Sequence, residues 1–202
     1  MQELVPGVYH WTAVHPNIKV EVSSYFVREA GTLIDPMVPP EGIEFFDGPR
    51  RPQRVVLTNR HHLRDSERFA SAYRIPILCH EAGLWDFKGG EGVKGFDWGA
   101  ELGTGVTALE VGAITPEEAA LRIDVGDGLL ALADAVMRYG GKLAFVGDEH
   151  LGDDPDAVKR AIRDSYGRLL DERFDALLPA HGDPIVGGGK DELRRFVEQG
   201  PS

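Results

Sequence analysis

Two histidines stand side by side in Val55-Val56-Leu57-Thr58-Asn59-Arg60-His61-His62-Leu63-Arg64-Asp65-Ser66. Imidazole changes charge near neutral pH and is the commonest metal ligand, so this pair points first to metal binding. It follows directly on a β-branched run, and a buried strand that ends in polar side chains is a rigid mount for a site. A plainer alternative stands beside this: His61 and His62 point to opposite sides of an extended segment, one packed and one wet.

The elements around the pair must position it. Val8 to Ala13, Lys19 to Arg28 and Gly31 to Pro36 read as an antiparallel meander, with Pro16-Asn17 at the first turn. Pro39-Pro40-Glu41 opens a short helix through Phe46. Arg54 to Thr58 is a strand, Ser66 to Tyr73 a helix, and Ile75 to His80 the next strand, so strands and helices interleave. Val106 to Val111, Ala119 to Val125 and Gly128 to Leu132 form a second meander, whose last apolar run ends on Asp134. Lys142 to Gly147 is a further apolar segment. Asp154-Pro155-Asp156 starts a helix that carries Val158, Ile162 and Leu169 on one face. Phe174 to Leu178 is a strand closed by Pro179-Ala180-His181-Gly182, and a glycine run leads into a last helix, Lys190 to Val197. Segment 83–105 differs: it holds eight glycines with Trp85, Phe87, Phe96 and Trp98, and reads as an irregular hairpin whose rings cover the core, with a lid or an oligomer contact as the alternative.

Bulk properties set the class. The chain has 202 residues, 42% apolar and 27% charged, as expected of one soluble globular domain over 1–202. A net charge of −11 argues against nucleic acid as a partner. Arg50, Arg51, Arg54, Arg60, Arg64 and Arg68 form a weak basic run, read as a solvated face. Cys79 is the only cysteine, so no internal disulfide forms. Met1 to Gly7 lacks a basic stretch followed by an apolar one, and no window approaches a membrane span. A cytoplasmic protein without membrane contact is the expectation.

Val5-Pro6-Gly7-Val8-Tyr9, Leu33-Ile34-Asp35-Pro36, Leu57-Thr58, the run ending in Asp134, and Pro179-Ala180-His181-Gly182 occur in an order and spacing that resembles the metallo-β-lactamase fold. The resemblance implies an αββα sandwich: two mixed sheets face to face, helices outside, and a cleft at one edge built from loops that follow strands. It also implies two metal ions, held by a His-x-His-x-Asp-His motif, a later histidine, a bridging aspartate and a last histidine before glycine. Matched position by position, His61, Asp134 and His181 are retained. Asn59, Leu63, Arg64 and Ala113 replace the other ligands.

Leucine and alanine ligate nothing, asparagine is a weak neutral donor, and the arginine guanidinium is a permanent cation. The ordinary two-metal chemistry is therefore not expected, and Arg64 is expected to fill the second metal position and pair with Asp134. On this reading no metal cofactor is expected, and the old cleft, lined by Asn59, His61, His62, Arg64, Asp65, Asp134 and His181, binds a small anionic molecule. The alternative retains one divalent ion (zinc, iron or manganese) on His61, Asp134 and His181, with His62 or Asp65 added if the register slips, in a mononuclear hydrolase of an ester, thioester or lactone-like bond. A homodimer through 83–105 is compatible with either.

Overall fold

A computed structural model describes residues 1–88 and 92–199. Among them, thirteen strands and three α-helices follow one another as β1 (Gln2–Val5), β2 (Val8–Val14), β3 (Glu21–Val27), β4 (Thr32–Ile34), β5 (Arg54–Val56), α1 (Ser66–Tyr73), β6 (Ile77–His80), β7 (Val93–Phe96), β8 (Val106–Glu110), β9 (Ala119–Ile123), β10 (Leu129–Leu132), β11 (Val136–Tyr139), β12 (Lys142–Phe145), α2 (Pro155–Leu169), β13 (Ala176–Pro179) and α3 (Gly189–Glu198). One sheet runs β1 to β7 in sequence order, a second runs β13-β10-β9-β8, and β11-β12 is a small separate ribbon. Strands β1 to β4 pair antiparallel; β4 to β7 pair parallel, as do β10 and β13.

Side-chain alternation builds the layers. Tyr25, Ile34 and Val56 from the first sheet meet Leu121, Ile123, Leu129 and Ala131 from the second in a core between the sheets. Their neighbours Phe26, Leu33 and Val55 face the other way, onto Phe46 and the α1 residues Phe69 and Tyr73. On the far side Ala120, Leu130 and Leu132 face Ile162, Tyr166 and Leu169 of α2 and Leu193 and Phe196 of α3. The result is an αββα sandwich. Helix α2 begins where the Asp154 side chain accepts the Ala157 N–H at 2.9 Å, followed by proline at its first position.

Several expectations need correction. Ile43–Phe46 forms a single 3-10 turn rather than a helix from Pro39. In segment 83–105 the described residues Val93–Phe96 add parallel to β6 instead of forming a hairpin, Phe96, Phe87 and Trp98 do pack on the cores, and residues 89–91 lie outside the described residues. Within it Trp98 stacks on His80 with ring centres 3.6 Å apart, whereas Trp85 is exposed. The basic run is a solvated face only in part: Arg50, Arg51 and Arg68 are exposed, and Arg54, Arg60 and Arg64 are half-buried. Arg50 donates to the Phe45 carbonyl, Arg51 to that of Tyr73, Arg54 to that of Ala30 and Arg64 to that of Ser23, while Arg60 pairs with the buried Glu117. These guanidiniums close loop carbonyls that β-strands leave open. No described helix is long and apolar enough to cross a membrane.

Candidate charge-network site

The parallel strands deliver the site at their C-terminal ends. Asp35 follows β4, Thr58 to His62 follow β5, Asp134 follows β10 and His181 follows β13. Asp35 has φ 46°, in the left-handed region that aspartate tolerates better than most residues. That turn brings its carboxylate under the next loop. Oδ1 accepts the Thr58 N–H at 2.8 Å, and Oδ2 accepts the Thr58 hydroxyl at 2.5 Å and His62 Nδ1 at 2.9 Å.

The other His62 nitrogen, Nε2, lies 2.9 Å from Asp134 Oδ1. His181 Nε2 is 3.1 Å from the same oxygen. Asn59 Nδ2 donates to Asp134 Oδ2 at 2.9 Å, and Asn59 Oδ1 accepts the His61 N–H at 2.7 Å, which opens the 3-10 turn Arg60–His62. That turn separates the two histidines. His62 is 4% exposed, inside the network, and the His61 ring faces solvent. The residue that stands with Asp134 and His181 is therefore His62, not His61. Among the described residues, these three are the group whose donor atoms come within 4.8 Å of one another.

Arg64 does not pair with Asp134. Its Nη1 donates to the carbonyls of Ser23 at 2.6 Å and Asp35 at 2.7 Å, at a backbone φ of 45°. Nη2 is buried and has no hydrogen-bond partner among the described residues. His62 occupies the Asp134 oxygen, and the strand-end carbonyls of Ser23 and Asp35 take the guanidinium. Asp65 also points elsewhere, accepting the Val38 N–H at 2.8 Å.

Charge and burial fix the protonation pattern. Burial would hold His62 neutral, but Asp134 and Asp35 outweigh it and push its pKa up to about 9. Burial raises Asp134, and the His62 and His181 contacts more than reverse this, holding it well below the usual carboxylate range. Asp35 is likewise lowered, since His62, Arg64 and Thr58 outweigh its burial. The two carboxylates thus share the His62 imidazolium between them.

Asp35, Thr58 and Glu118 are site residues that motif matching misses. Asp35 ends an apolar run, as Asp134 does, and is followed by a proline. Glu118 carries no such signal. Its Oε1 accepts the Ala135 N–H at 2.8 Å, next to Asp134, and its Oε2 accepts the Ile114 N–H at 3.4 Å. Burial, with Asp134 adding to it, pushes its pKa up to about 7.

No family model matches the sequence, and no curated protein matches it. Solved structures do match. A metallo-β-lactamase family protein from Thermus thermophilus is similar at 16% identity and TM-score 0.65, over 96% of this chain and 79% of that one. The fold is the metallo-β-lactamase fold. A flavoprotein from Thermotoga maritima aligns at 16% identity and TM-score 0.63 over 94% of this chain, which spans only 57% of that protein. A protein solved in a di-iron-bound form aligns at 20% identity and TM-score 0.60, over 90% of each chain. Identities this low carry the fold and leave the chemistry to the residues.

The metal chemistry that this fold can house is tested by the donor set. At the positions where the resemblance places ligands for a second ion, Asn59 is neutral and engaged at both ends, Leu63 and Ala113 offer no donor, and Arg64 adds a cation. A single ion fits in number, on His62 Nε2, Asp134 and His181 Nε2.

Proposed function

We propose that this chain is a metallo-β-lactamase-fold protein in which a hydrogen-bonded charge network stands in place of a dinuclear metal centre, and that the cleft beside His181 binds a small anionic molecule. The observation that carries this reading is the position of His62, with each ring nitrogen 2.9 Å from a carboxylate oxygen. A carboxylate offers only acceptors, so both nitrogens must carry protons. The imidazolium then supplies the positive charge that Asp35 and Asp134 need, and a buried carboxylate left unpaired would be costly. Asn59 and His181 complete the shell around Asp134.

Support for an anionic ligand comes from the hydrogen-bond donors around this network. Arg64 Nη2 is a buried donor with no partner among the described residues. His15, on the turn after β2, lies close enough to Arg64, His62 and His181 for all three to lower its pKa, behind burial as the largest cause. Guanidinium and imidazole donors gathered this way suit a carboxylate or phosphate group.

A second reading has its own observation. The Asp35 contact to Nδ1 turns His62 Nε2 toward Asp134 and His181, which is how an outer carboxylate orients a metal-binding histidine. An ion held by His62, Asp134 and His181 would supply a Lewis acid and a more acidic bound water for hydrolysis of an ester-like bond. Elemental mass spectrometry on protein purified without chelator or metal-binding tag separates the two. Less than about a tenth of a metal per chain, together with saturable calorimetric binding of inorganic phosphate or citrate that weakens in His15→Gln, supports the network. A stoichiometric transition metal, lost in Asp134→Ala, overturns it in favour of the mononuclear centre.

A further inference from the structure

Three consecutive residues where β9 begins reach three different parts of the charge network. The Ala119 N–H donates to the Thr58 carbonyl at 2.8 Å. The Glu118 carboxyl accepts the Ala135 N–H at 2.8 Å, next to Asp134. The Glu117 carboxylate pairs with Arg60, two residues before His62, through Oε1 and Nη1. Strand β9 belongs to the second sheet, whereas Thr58 and Arg60 follow β5 of the first. This short stretch therefore bridges the same gap that His62 crosses to meet Asp134.

Glu117 is fully buried, and its side chain has no room to move away. A Cβ at Gly83 would lie 2.7 Å from Glu117 Cγ and 3.1 Å from Cys79 Sγ. A carboxylate this deep is tolerated only beside a cation, and Arg60 supplies one. The guanidinium is held on its other sides as well. Asp86 Oδ2 is 3.8 Å from its Nε, and the Trp85 ring centre is 5.0 Å from its Cζ. Trp85, 67% exposed, thus serves as a cover over the pair. Arg60 opens the three-residue turn that ends on His62, so fixing the guanidinium fixes the turn. The Asp35 contact to Nδ1 lies within the first sheet and needs no such bridge.

We propose that Glu117 is a positioning residue: by holding Arg60 it sets the approach of His62 Nε2 to Asp134, while Asp35 keeps Nδ1 in place without it. This rests on the charge-network reading, in which both nitrogens of His62 carry protons. The test follows the two His62 ring N–H protons by ¹H–¹⁵N spectroscopy of the full chain near neutral pH. Glu117→Gln strands the Arg60 charge and puts the fold at risk, so Arg60→Met/Glu117→Met is measured beside it; the double variant leaves no unpaired charge and alters no net charge. The expected result in the double variant is an upfield move of the Nε2 proton, with roughly tenfold faster exchange with water, the scale of one ordinary hydrogen bond, and an unmoved Nδ1 proton. Arg122→Met/Glu172→Met, which removes another pair on β9 at 2.8 Å, should move neither. Both protons moving together, neither moving, or the same shift in the Arg122 and Glu172 variant would overturn the positioning role and leave the charge network standing. A parent spectrum without two His62 N–H protons would overturn the charge network and the positioning role with it.

Discussion

His62 and Asp134 meet with Nε2 2.9 Å from Oδ1, across 72 residues of sequence, and this contact joins the two sheets at the end where the parallel strands stop. Its partner on the other side of the ring is Asp35. The consequences below follow from that sandwiched imidazole and from the loops that support it.

The His62 proton is retained to high pH. With a pKa raised from 6.5 to about 9, its contribution is fully present below about pH 6.5 and is lost as pH rises through 9. Urea unfolding between pH 6 and pH 10 should show stability falling by up to roughly 3 kcal/mol from this group. A ¹⁵N titration should place its midpoint near 9. A midpoint at or below the ordinary histidine value would show that the two carboxylates do not hold the proton.

The adjacent histidines should respond very differently to truncation. His62→Ala leaves Asp35 and Asp134 without their shared cation and should cost roughly 3–5 kcal/mol in chemical denaturation. His61→Ala removes a solvent-facing ring and should stay within about 0.5 kcal/mol. Equal losses would contradict the 3-10 turn that sends the two rings apart.

Glu118 acts with the same sign for a different reason. Its carboxyl is raised to about 7, so the folded state holds a proton that the unfolded chain releases from about pH 4.5 upward. Stability attributable to this group therefore falls between about pH 4.5 and 7. Glu118→Gln should be more favourable relative to the parent at pH 8 than at pH 4.5, by up to roughly 3 kcal/mol. Paired denaturation curves at the two pH values read this directly, and a difference that does not change with pH would refute it.

Gly182 sets the position of the His181 loop. It has φ 95°, and a Cβ there would collide with the Arg138 carbonyl oxygen. The backbone of Arg138 in turn donates to the His181 carbonyl at 3.0 Å. Gly182→Ala should destabilise the chain by roughly 2 kcal/mol or more and shift the His181 ring resonances, because both conformation and space are wrong for a side chain. A thermal midpoint unchanged from the parent would show that the loop yields freely.

Much of the fold is legible in the sequence. The Ser66–Tyr73 helix and the two meanders follow from local pattern, and the Asp154-Pro155 helix start from capping chemistry. Strand β7 is not legible, since Val93-Lys94-Gly95-Phe96 gains its strand character from pairing with β6 rather than from its own residues. At the site, Asp134 and His181 end apolar runs and can be found that way. The choice between His61 and His62 turns on one 3-10 turn capped by Asn59, which shifts the register of a loop by less than local spacing resolves. The direction of Arg64 is set by the Ser23 and Asp35 carbonyls, which lie 41 and 29 residues away in sequence, a contact that no local rule encodes.

The network draws its members from the ends of β4, β5, β10 and β13, so no part of it exists in any one hairpin or helix. His62 cannot find both carboxylates until the sheets have docked, and docking lies at the end of a path dominated by pairings distant in sequence. A contact that waits for docking should slow escape from the native state more than it speeds arrival there, so His62→Ala is expected to raise the unfolding rate and leave the folding rate nearly unchanged, which makes the charge network a lock on the finished structure.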